Sequence, residues 1–163
     1  RAVTSCLQRY SPAERPTAMV GLVYVEPPYP GATDAAKAEM GGVWFIEEEA
    51  LVWRAPFPEA VQKRLVSFEN PTGTVTNSDL ELVATIAHHH VLEATGLPTA
   101  GESTHTFCDN TPTVAWQTKG STTTTAVTAD LLHHGALHQQ KLGHVPRYEY
   151  LEGVRNVMAD DAS

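Results

Sequence analysis

Residues 103–120, STHTFCDNTPTVAWQTKG, change from one structural pattern to another within a few positions. The first residues alternate in polarity, which predicts a β-strand that ends beside Asp109. Thr111 followed by Pro112 is typical of a helix start, and Gly120 is typical of a helix end. The stretch therefore predicts a strand followed directly by a short helix, with Asp109 at the C-terminal end of the strand.

A hairpin is predicted earlier in the chain. The apolar runs 43–46 and 51–53 flank a glutamate cluster at 47–49, which predicts an antiparallel hairpin with an acidic turn. The segment that leads to Asp34 contains several closely spaced prolines. Because proline removes a donor from the strand ladder, we expect either an edge strand or a loop that enters a strand near Asp34.

Two long helices are predicted from apolar spacing and end signals. The first has apolar residues at helical intervals, begins with Asn77 or Ser78 as its cap, and ends at Gly96. The second ends at Gly143.

A last strand and a terminal helix complete the predicted elements. Residues 144–153 alternate in polarity, and Asn156 is expected to cap the helix that follows. Three strands come first, followed by helix, strand, helix, helix, strand and helix. This order predicts an α/β fold with a mixed five-stranded sheet, in which a three-strand antiparallel meander is joined by two further strands and flanked by helices.

Composition and charge limit the class of protein. Hydrophobic residues make up 42% of the 163 positions, and no apolar run is long enough to cross a membrane. The formal net charge is -8 and the 11 Lys and Arg residues are scattered, so we expect weak affinity for nucleic acid from this chain alone. Cys6 and Cys108 lie far apart without a sign of secretion, which indicates an intracellular, reducing compartment, the cytoplasm or nucleus.

The first residue is Arg1 rather than Met, and no signal-peptide pattern follows it. We expect residues 1–18, which are polar and contain two prolines, to be a linker or N-terminal extension from a preceding domain. Residues 19–163 are predicted to form one domain.

Acidic residues occupy positions that the predicted fold brings together. They are Asp34 at the first strand, Glu81 in the first turn of the long helix, Asp109 at the end of the fourth strand and Asp160 in the terminal helix. Sites in open α/β sheets gather at the C-terminal ends of strands, beside helix N-termini. Carboxylates with so few basic neighbours repel one another unless divalent cations neutralise them, so we expect a metal site.

Four segments around these carboxylates read, in order, ATDAAKAEMGGVWF, NSDLELVATIA, TFCDNTPTVAW and EGVRNVMADDAS. They resemble the four acidic motifs of the ribonuclease H domain that follows reverse transcriptase in retrotransposon polyproteins. The resemblance extends over about residues 24–163. Each motif is short, but four in the same order on matching elements are fairly specific to the family.

The resemblance implies a ribonuclease H-like fold and an endonuclease that hydrolyses the RNA strand of RNA/DNA hybrids during retroelement reverse transcription. It implies that the catalytic residues and ligands of two Mg²⁺ ions, or of Mn²⁺ in their place, are Asp34, Glu81, Asp109 and Asp160. Asp34 would bridge the ions, Glu81 and Asp109 would lie toward the leaving group, and Asp160 toward the nucleophile. Asp161 is the alternative to Asp160.

The implied partners are an RNA/DNA hybrid and the upstream reverse transcriptase domain of the same polyprotein. Hybrids are recognised through 2′-hydroxyls, and Asn77, Asn110 and Thr111 are candidate donors for such contacts. Two features depart from the family: GVRN at 153–156 lacks the His that many members carry before the last helix, and 117–125 offers one Lys where a basic segment is expected. Hybrid binding is therefore expected to depend on the upstream domain.

Each acidic residue also has a purely structural interpretation. Ser78 and Glu81 fit a capping box, Asp34 and Asp109 fit turns, and Asp160 fits a favourable position at the start of a helix. The four together favour metal binding over these separate interpretations. A short terminal helix would also leave its acidic residue on the least anchored element of the fold.

The histidines raise the alternative of a zinc site. His88, His89 and His90 are consecutive, so on a helix they point roughly 100° apart and cannot share one ion. His134 and His138 are four residues apart and could form half a site. Because no HExxH motif or Cys pair accompanies them, we predict a polar helix face.

Two other functions stay open. The first is a catalytically inactive ribonuclease H-like module with a structural or docking role in a polymerase polyprotein. The second is an integrase- or transposase-type strand transferase, whose last acidic residue is usually a helix Glu. The Asp in MADDAS, residues 158–163, speaks against the second.

Overall fold

Three consecutive strands form an antiparallel meander at one side of a five-stranded sheet. In the computed structural model, which describes residues 28–122 and 124–163, they are β1 (Tyr29–Ala35), β2 (Glu39–Ile46) and β3 (Glu49–Pro56). The chain turns from β2 into β3 at Glu47, whose φ of 56° is in the left-handed region. The predicted hairpin with its acidic turn is confirmed.

β1 lies at the centre of the sheet. β4 (Ser103–Cys108) pairs with β1 in parallel, and β5 (Val145–Tyr150) pairs with β4 in parallel, so the strand order is β3-β2-β1-β4-β5. The predicted mixed five-stranded sheet is confirmed, but the edge-strand alternative for the segment around Asp34 is wrong. Pro30 is in register with His105 of β4, while the pairing with β2 begins only at Gly31.

The helices occur in the predicted order, with one extra short helix and a 3₁₀ turn. They are α1 (Glu59–Gln62), α2 (Asn77–Glu93), α3 (Thr111–Lys119), α4 (Ala126–Leu142), the 3₁₀ turn Gly153–Arg155, and α5 (Val157–Asp160). α3 and α4 end at Gly120 and Gly143, whose φ angles of 64° and 70° are left-handed. Both helix ends are as predicted from glycine.

The cap of α2 differs from the prediction. Thr76 is the N-cap, and its hydroxyl accepts a hydrogen bond from the N–H of Asp79. The Asp79 carboxylate in turn accepts from the N–H of Thr76, which completes a capping box. The structure therefore places the box two residues before the one that Ser78 and Glu81 suggest, and Glu81 has no capping role.

α2 packs on one face of the sheet and α5 on the other. On the α2 face, buried Trp44 stacks on His88 with ring centroids 3.8 Å apart and donates from its indole N–H to the His88 carbonyl. Gly31 pairs with Trp44 across the strands, and a Cβ there would lie 2.5 Å from the Trp44 ring. This close packing holds α2 at a fixed height over β1. On the α5 face of the sheet, Ala32, Val43 and Ala159 form a small buried apolar cluster.

Two predictions fall outside what the structure describes. The linker at 1–18 and the start of the domain at residue 19 lie before residue 28, the first described residue. Within the described ranges, every helix is too short or too polar to cross a membrane.

Candidate active site

Two acidic residues lie at the ends of neighbouring parallel strands. Asp34 is the next-to-last residue of β1, and Asp109 directly follows β4. Because β1 and β4 are adjacent and parallel, their C-terminal ends lie at the same edge of the sheet. Burial and then the charge on Asp34 raise the pKa of Asp109, which shows that the two carboxyl groups interact.

α2 brings a third carboxyl group to this edge. Glu81 is 2% exposed, and one of its carboxylate oxygens lies within 4.8 Å of the Cys108 sulfur and of an Asp109 carboxylate oxygen. Burial, followed by the charges on Asp34 and Asp109, raises the pKa of Glu81 to about 9. Without a neighbouring cation, Glu81 therefore keeps its proton at pH 7.

The fourth acidic residue, Asp160, reaches the same cluster from α5. Partial burial, then the charges on Asp34 and Asp161, raise the pKa of Asp160. The charge on Asp160 in turn contributes to the raised pKa of Asp109, whereas Asp161 is not among the causes. Of the two adjacent aspartates, Asp160 is therefore the one whose charge acts on Asp109.

The segment that carries Asp160 is tied to the sheet by several hydrogen bonds. The Arg54 guanidinium on β3 donates to the carbonyl oxygens of Ala162 at 2.6 Å, Asp161 at 3.0 Å and Ser163 at 3.2 Å. The Ser163 hydroxyl donates to Asp34 Oδ2 at 2.6 Å. These bonds attach the end of the last element to β3 and β1, and the expectation that it is the least anchored element stays a prediction.

Asn156 occupies the N-cap position of α5 but does not cap it with its side chain. The residue is 2% exposed, and its Nδ2 donates to the Thr33 carbonyl on β1 at 3.3 Å. The predicted capping role is therefore wrong at the level of the side chain. Asn156 instead fastens the start of α5 beside the strand that carries Asp34.

The three candidate substrate contacts lie at the N-terminal ends of α2 and α3. Asn77 and Thr111 are exposed at the first positions of these helices. Asn110, rather than Thr111, caps α3, and its Oδ1 accepts from the N–H and hydroxyl of Thr113. The Thr113 hydroxyl, whose single proton can go to either acceptor, also lies 3.0 Å from the Ser78 carbonyl oxygen, so the two helix starts lie side by side. Their role in substrate binding stays a prediction.

Two residues of the site do not stand out in the sequence. The Cys108 thiol donates to Glu81 Oε2 at 3.8 Å, and burial and the charge on Glu81 raise the pKa of Cys108. Its inward position follows from the alternation of β4, in which Thr104, Thr106 and Cys108 are buried. Ser163, which binds Asp34, has no comparable signal in the sequence.

The loop before α5 approaches Asp109 through a glycine. A Cβ at Gly153 would lie 3.0 Å from Asp109 Oδ2, so a side chain there would press on the carboxylate. Val154 follows and is 85% exposed. The loop before α5 therefore has a glycine beside Asp109 and an exposed valine next in the chain.

The histidines are arranged differently from the predicted polar helix face. His88 and His89 are buried, while His138 on α4 lies against Glu93 of α2 with its side chain 10% exposed. The spacing along each helix does not indicate this contact, because it joins two different helices.

Comparison with known proteins yields structural matches only. No family model matches the chain, and no curated protein matches it. Among solved structures, RNase H1 from the halophilic archaeon Halobacterium salinarum superposes with a TM-score of 0.61 at 12% sequence identity, over 82% of this chain and 92% of that one.

Two further solved structures give the same result. LC11-RNase H1, isolated from compost by a metagenomic approach and solved in complex with an RNA/DNA hybrid, superposes with a TM-score of 0.58 at 16% identity, over 82% of this chain and 92% of its own. The N-terminal RNase H domain of a Mycobacterium tuberculosis protein gives a TM-score of 0.53 at 13% identity, over 83% of this chain and 91% of its own. At these identities the likeness concerns the fold, and with the sheet order and the helices described above it shows that this chain has a ribonuclease H-like fold.

Proposed function

We propose that this protein is a ribonuclease H, a metal-dependent endonuclease that hydrolyses the RNA strand of RNA/DNA hybrids during retroelement reverse transcription. The observation that carries the proposal is the convergence of carboxyl groups from a strand, a strand end and two helices at one edge of the sheet. These groups belong to Asp34, Glu81, Asp109 and Asp160.

The donor set fits Mg²⁺, with Mn²⁺ as a substitute. Mg²⁺ prefers oxygen ligands, and all four proposed ligands are carboxylates. Burial first, and then the negative charge of neighbouring carboxylates, raises the pKa of Glu81, Asp109 and Asp160, and bound divalent cations would offset both effects. Two such ions, when bound, would supply an activated water and a neutralising charge at the leaving oxygen.

The residues of the chain would divide the work of holding this site. Because Asp34 contributes to the raised pKa of each of the other three carboxyl groups, it would be the central ligand, shared between two ions. Glu81 must release its proton before it can act as a ligand. Ser163 would orient Asp34 through its hydrogen bond to Oδ2.

An RNA/DNA hybrid is the proposed substrate because the fold is shared with RNase H1 structures, one of them solved with such a hybrid. The exposed ends of α2 and α3 would offer Asn77, Asn110 and Thr111 to 2′-hydroxyls in the minor groove. The net charge of -8 limits the attraction for phosphates, so we propose that an upstream reverse transcriptase domain of the same polyprotein supplies much of the hybrid affinity. The cytoplasm or nucleus would be the site of action.

The test is cleavage of an end-labelled RNA/DNA hybrid in Mg²⁺ or Mn²⁺. We expect cuts in the RNA strand only, none in a DNA duplex, and loss of cutting in Asp109→Asn. Asp161→Asn is the matched control, since Asp161 neighbours Asp160 but does not raise the pKa of Asp109. Because weak binding can mask activity, the assay is repeated with the chain fused to a hybrid-binding module.

An inert wild-type fusion would overturn the nuclease proposal and favour the inactive docking module. Joining of DNA ends in place of RNA cleavage would favour the strand transferase.

A further inference from the structure

A second group of metal-binding side chains lies at the other end of α2. His90 and Glu93 are in its last turn, and His138 faces them from α4. His90 follows Glu81 by nine positions, which corresponds to roughly 13 Å along a helix axis. The group is therefore separate from the carboxylates at the start of α2, and it could bind a metal ion whether or not the protein is a nuclease.

Both imidazoles approach the same carboxylate oxygen. His138 Nε2 lies 2.6 Å from Glu93 Oε2, and His90 Nδ1 lies 3.5 Å from that same atom. The rings of His90 and His138 are 3.8 Å apart between centroids and tilted by 47°. One ligand atom from each of the three residues lies within 4.8 Å of the other two.

These distances suit a tetrahedral ion after a small adjustment. Zn²⁺ binds imidazole nitrogen at about 2.0–2.1 Å, which places its ligand atoms about 3.3 Å from one another. The distance from His138 Nε2 to Glu93 Oε2 would increase slightly, and His90 Nδ1 would move slightly closer to that oxygen. Two His and one Glu also form a ligand set that zinc uses in proteins, with a fourth position left for another donor.

A plain hydrogen bond between His138 and Glu93 accounts for only part of this arrangement. It leaves unexplained why a second imidazole, that of His90, turns its nitrogen to the oxygen already engaged. A fourth donor is close, because the ring of His134, one turn before His138 on α4, lies 5.9 Å from that of His90. The i,i+4 spacing of His134 and His138 is common in zinc sites on helices.

We propose that His90, Glu93 and His138 bind one Zn²⁺ ion, with His134 as the fourth ligand, and that the ion links α2 to α4. The two helices also meet through Gly135, where a Cβ would lie 3.5 Å from the Ile86 side chain, and through a hydrogen bond from the Thr128 hydroxyl to Asp79 Oδ1 at 2.6 Å. A metal bridge at the far end would fix their angle. Its role is structural, since it lies on the opposite end of α2 from the acidic cluster.

The test uses metal-free protein, with Mg²⁺ kept in excess so that the acidic cluster is shielded from zinc. Titration with Zn²⁺ should show one bound ion by calorimetry and raise the melting temperature by on the order of 5–10 °C when zinc exceeds its dissociation constant about a hundredfold. Co²⁺ in place of Zn²⁺ should give the visible absorption of a tetrahedral ion, a readout that requires no variant.

Variants assign the ion to its ligands. His138→Gln and Glu93→Gln should lose the zinc-induced shift, while His133→Gln, an exposed neighbour on α4, should keep it. Asp109→Asn should keep the rise in melting temperature that zinc causes and lose the rise that Mg²⁺ alone causes in the wild type. A zinc shift that persists in His138→Gln but disappears in Asp109→Asn would overturn the proposal by placing zinc at the acidic cluster, and so would the absence of any zinc binding to the wild type.

Discussion

Replacing Glu81 with Gln should stabilise the metal-free protein, and by an amount that depends on pH. Gln keeps the size of the side chain but cannot ionise. In the folded protein the pKa of Glu81 is raised from 4.5 to about 9, mainly by burial and then by Asp34 and Asp109. The folded state thus holds a proton that the unfolded state releases above pH 4.5.

The sign and size follow from proton linkage. A carboxyl group whose pKa is raised on folding contributes stability that is fully present below its unfolded pKa and is lost as the pH rises through the folded one. Since pH 7 lies about 2.5 units above the unfolded pKa of 4.5, the wild type has by then lost roughly 3 kcal/mol of stability, at about 1.36 kcal/mol per unit. Glu81→Gln has no such loss, so it should exceed the wild type by about that amount at pH 7 and match it near pH 4.

The assay is urea denaturation in a metal chelator between pH 4 and pH 9. Glu48→Gln, an exposed residue of the acidic turn, is the matched control and should follow the wild type at every pH. In excess Mg²⁺ the wild type should gain stability at pH 7 and Glu81→Gln much less, because the variant lacks one proposed ligand. A difference between Glu81→Gln and wild type that stays constant from pH 4 to pH 7 in chelator would refute the reasoning.

Three further results are expected. Asp160→Asn should lower hybrid cleavage at least about a hundredfold while Asp161→Asn stays within about threefold of wild type, as single-turnover rates would show; equal losses would remove the distinction drawn between them. Gly41→Ala should displace residues 162–163, because the added Cβ would overlap the backbone carbonyl of Ala162. We expect the free energy of unfolding, measured by urea denaturation, to fall by about 1–3 kcal/mol, and most of the cleavage activity to be lost. An unchanged unfolding midpoint would contradict this packing. His89 is buried and its pKa is lowered from 6.5 to about 3, chiefly by burial, so the stability it contributes is complete above pH 6.5 and falls as the pH drops toward 3, by about 2 kcal/mol between pH 7 and pH 5. In His89→Gln the free energy of unfolding should fall less between pH 7 and pH 5, as urea denaturation at each pH would show. A decrease equal to that of the wild type would show that other groups cause it.

Most of the secondary structure could be predicted because its signals are local. The glycines at 120 and 143 end helices where they stand, since glycine adopts the left-handed conformation with little strain. The hairpin at 47–49 follows from two apolar runs and a polar turn. Errors of one or two residues occur where neighbouring side chains can all cap a helix, as with Thr76 and Ser78.

The central position of β1 could not be predicted from its own residues. Prolines near its start suggest an edge, yet β4 from the second half of the chain pairs along its free side. Which side of a strand is covered depends on a partner far away in the sequence, so local composition does not decide it. The same applies to Arg54, whose bonds to Ala162 and Ser163 hold the last helix.

The order of the elements, and which of them carry acidic residues, follow from local signals in the sequence, because periodicity, caps and glycines act over a few positions. Which side chains meet depends instead on how distant elements pack together. The parallel pairing of β1 with β4 brings Asp34 beside Asp109, and the packing of α2 against α4 brings His90 beside His138. Such contacts depend on the packing of whole elements. The same packing buries Glu81 beside Asp34 and Asp109, and this burial is the main reason that its pKa is raised.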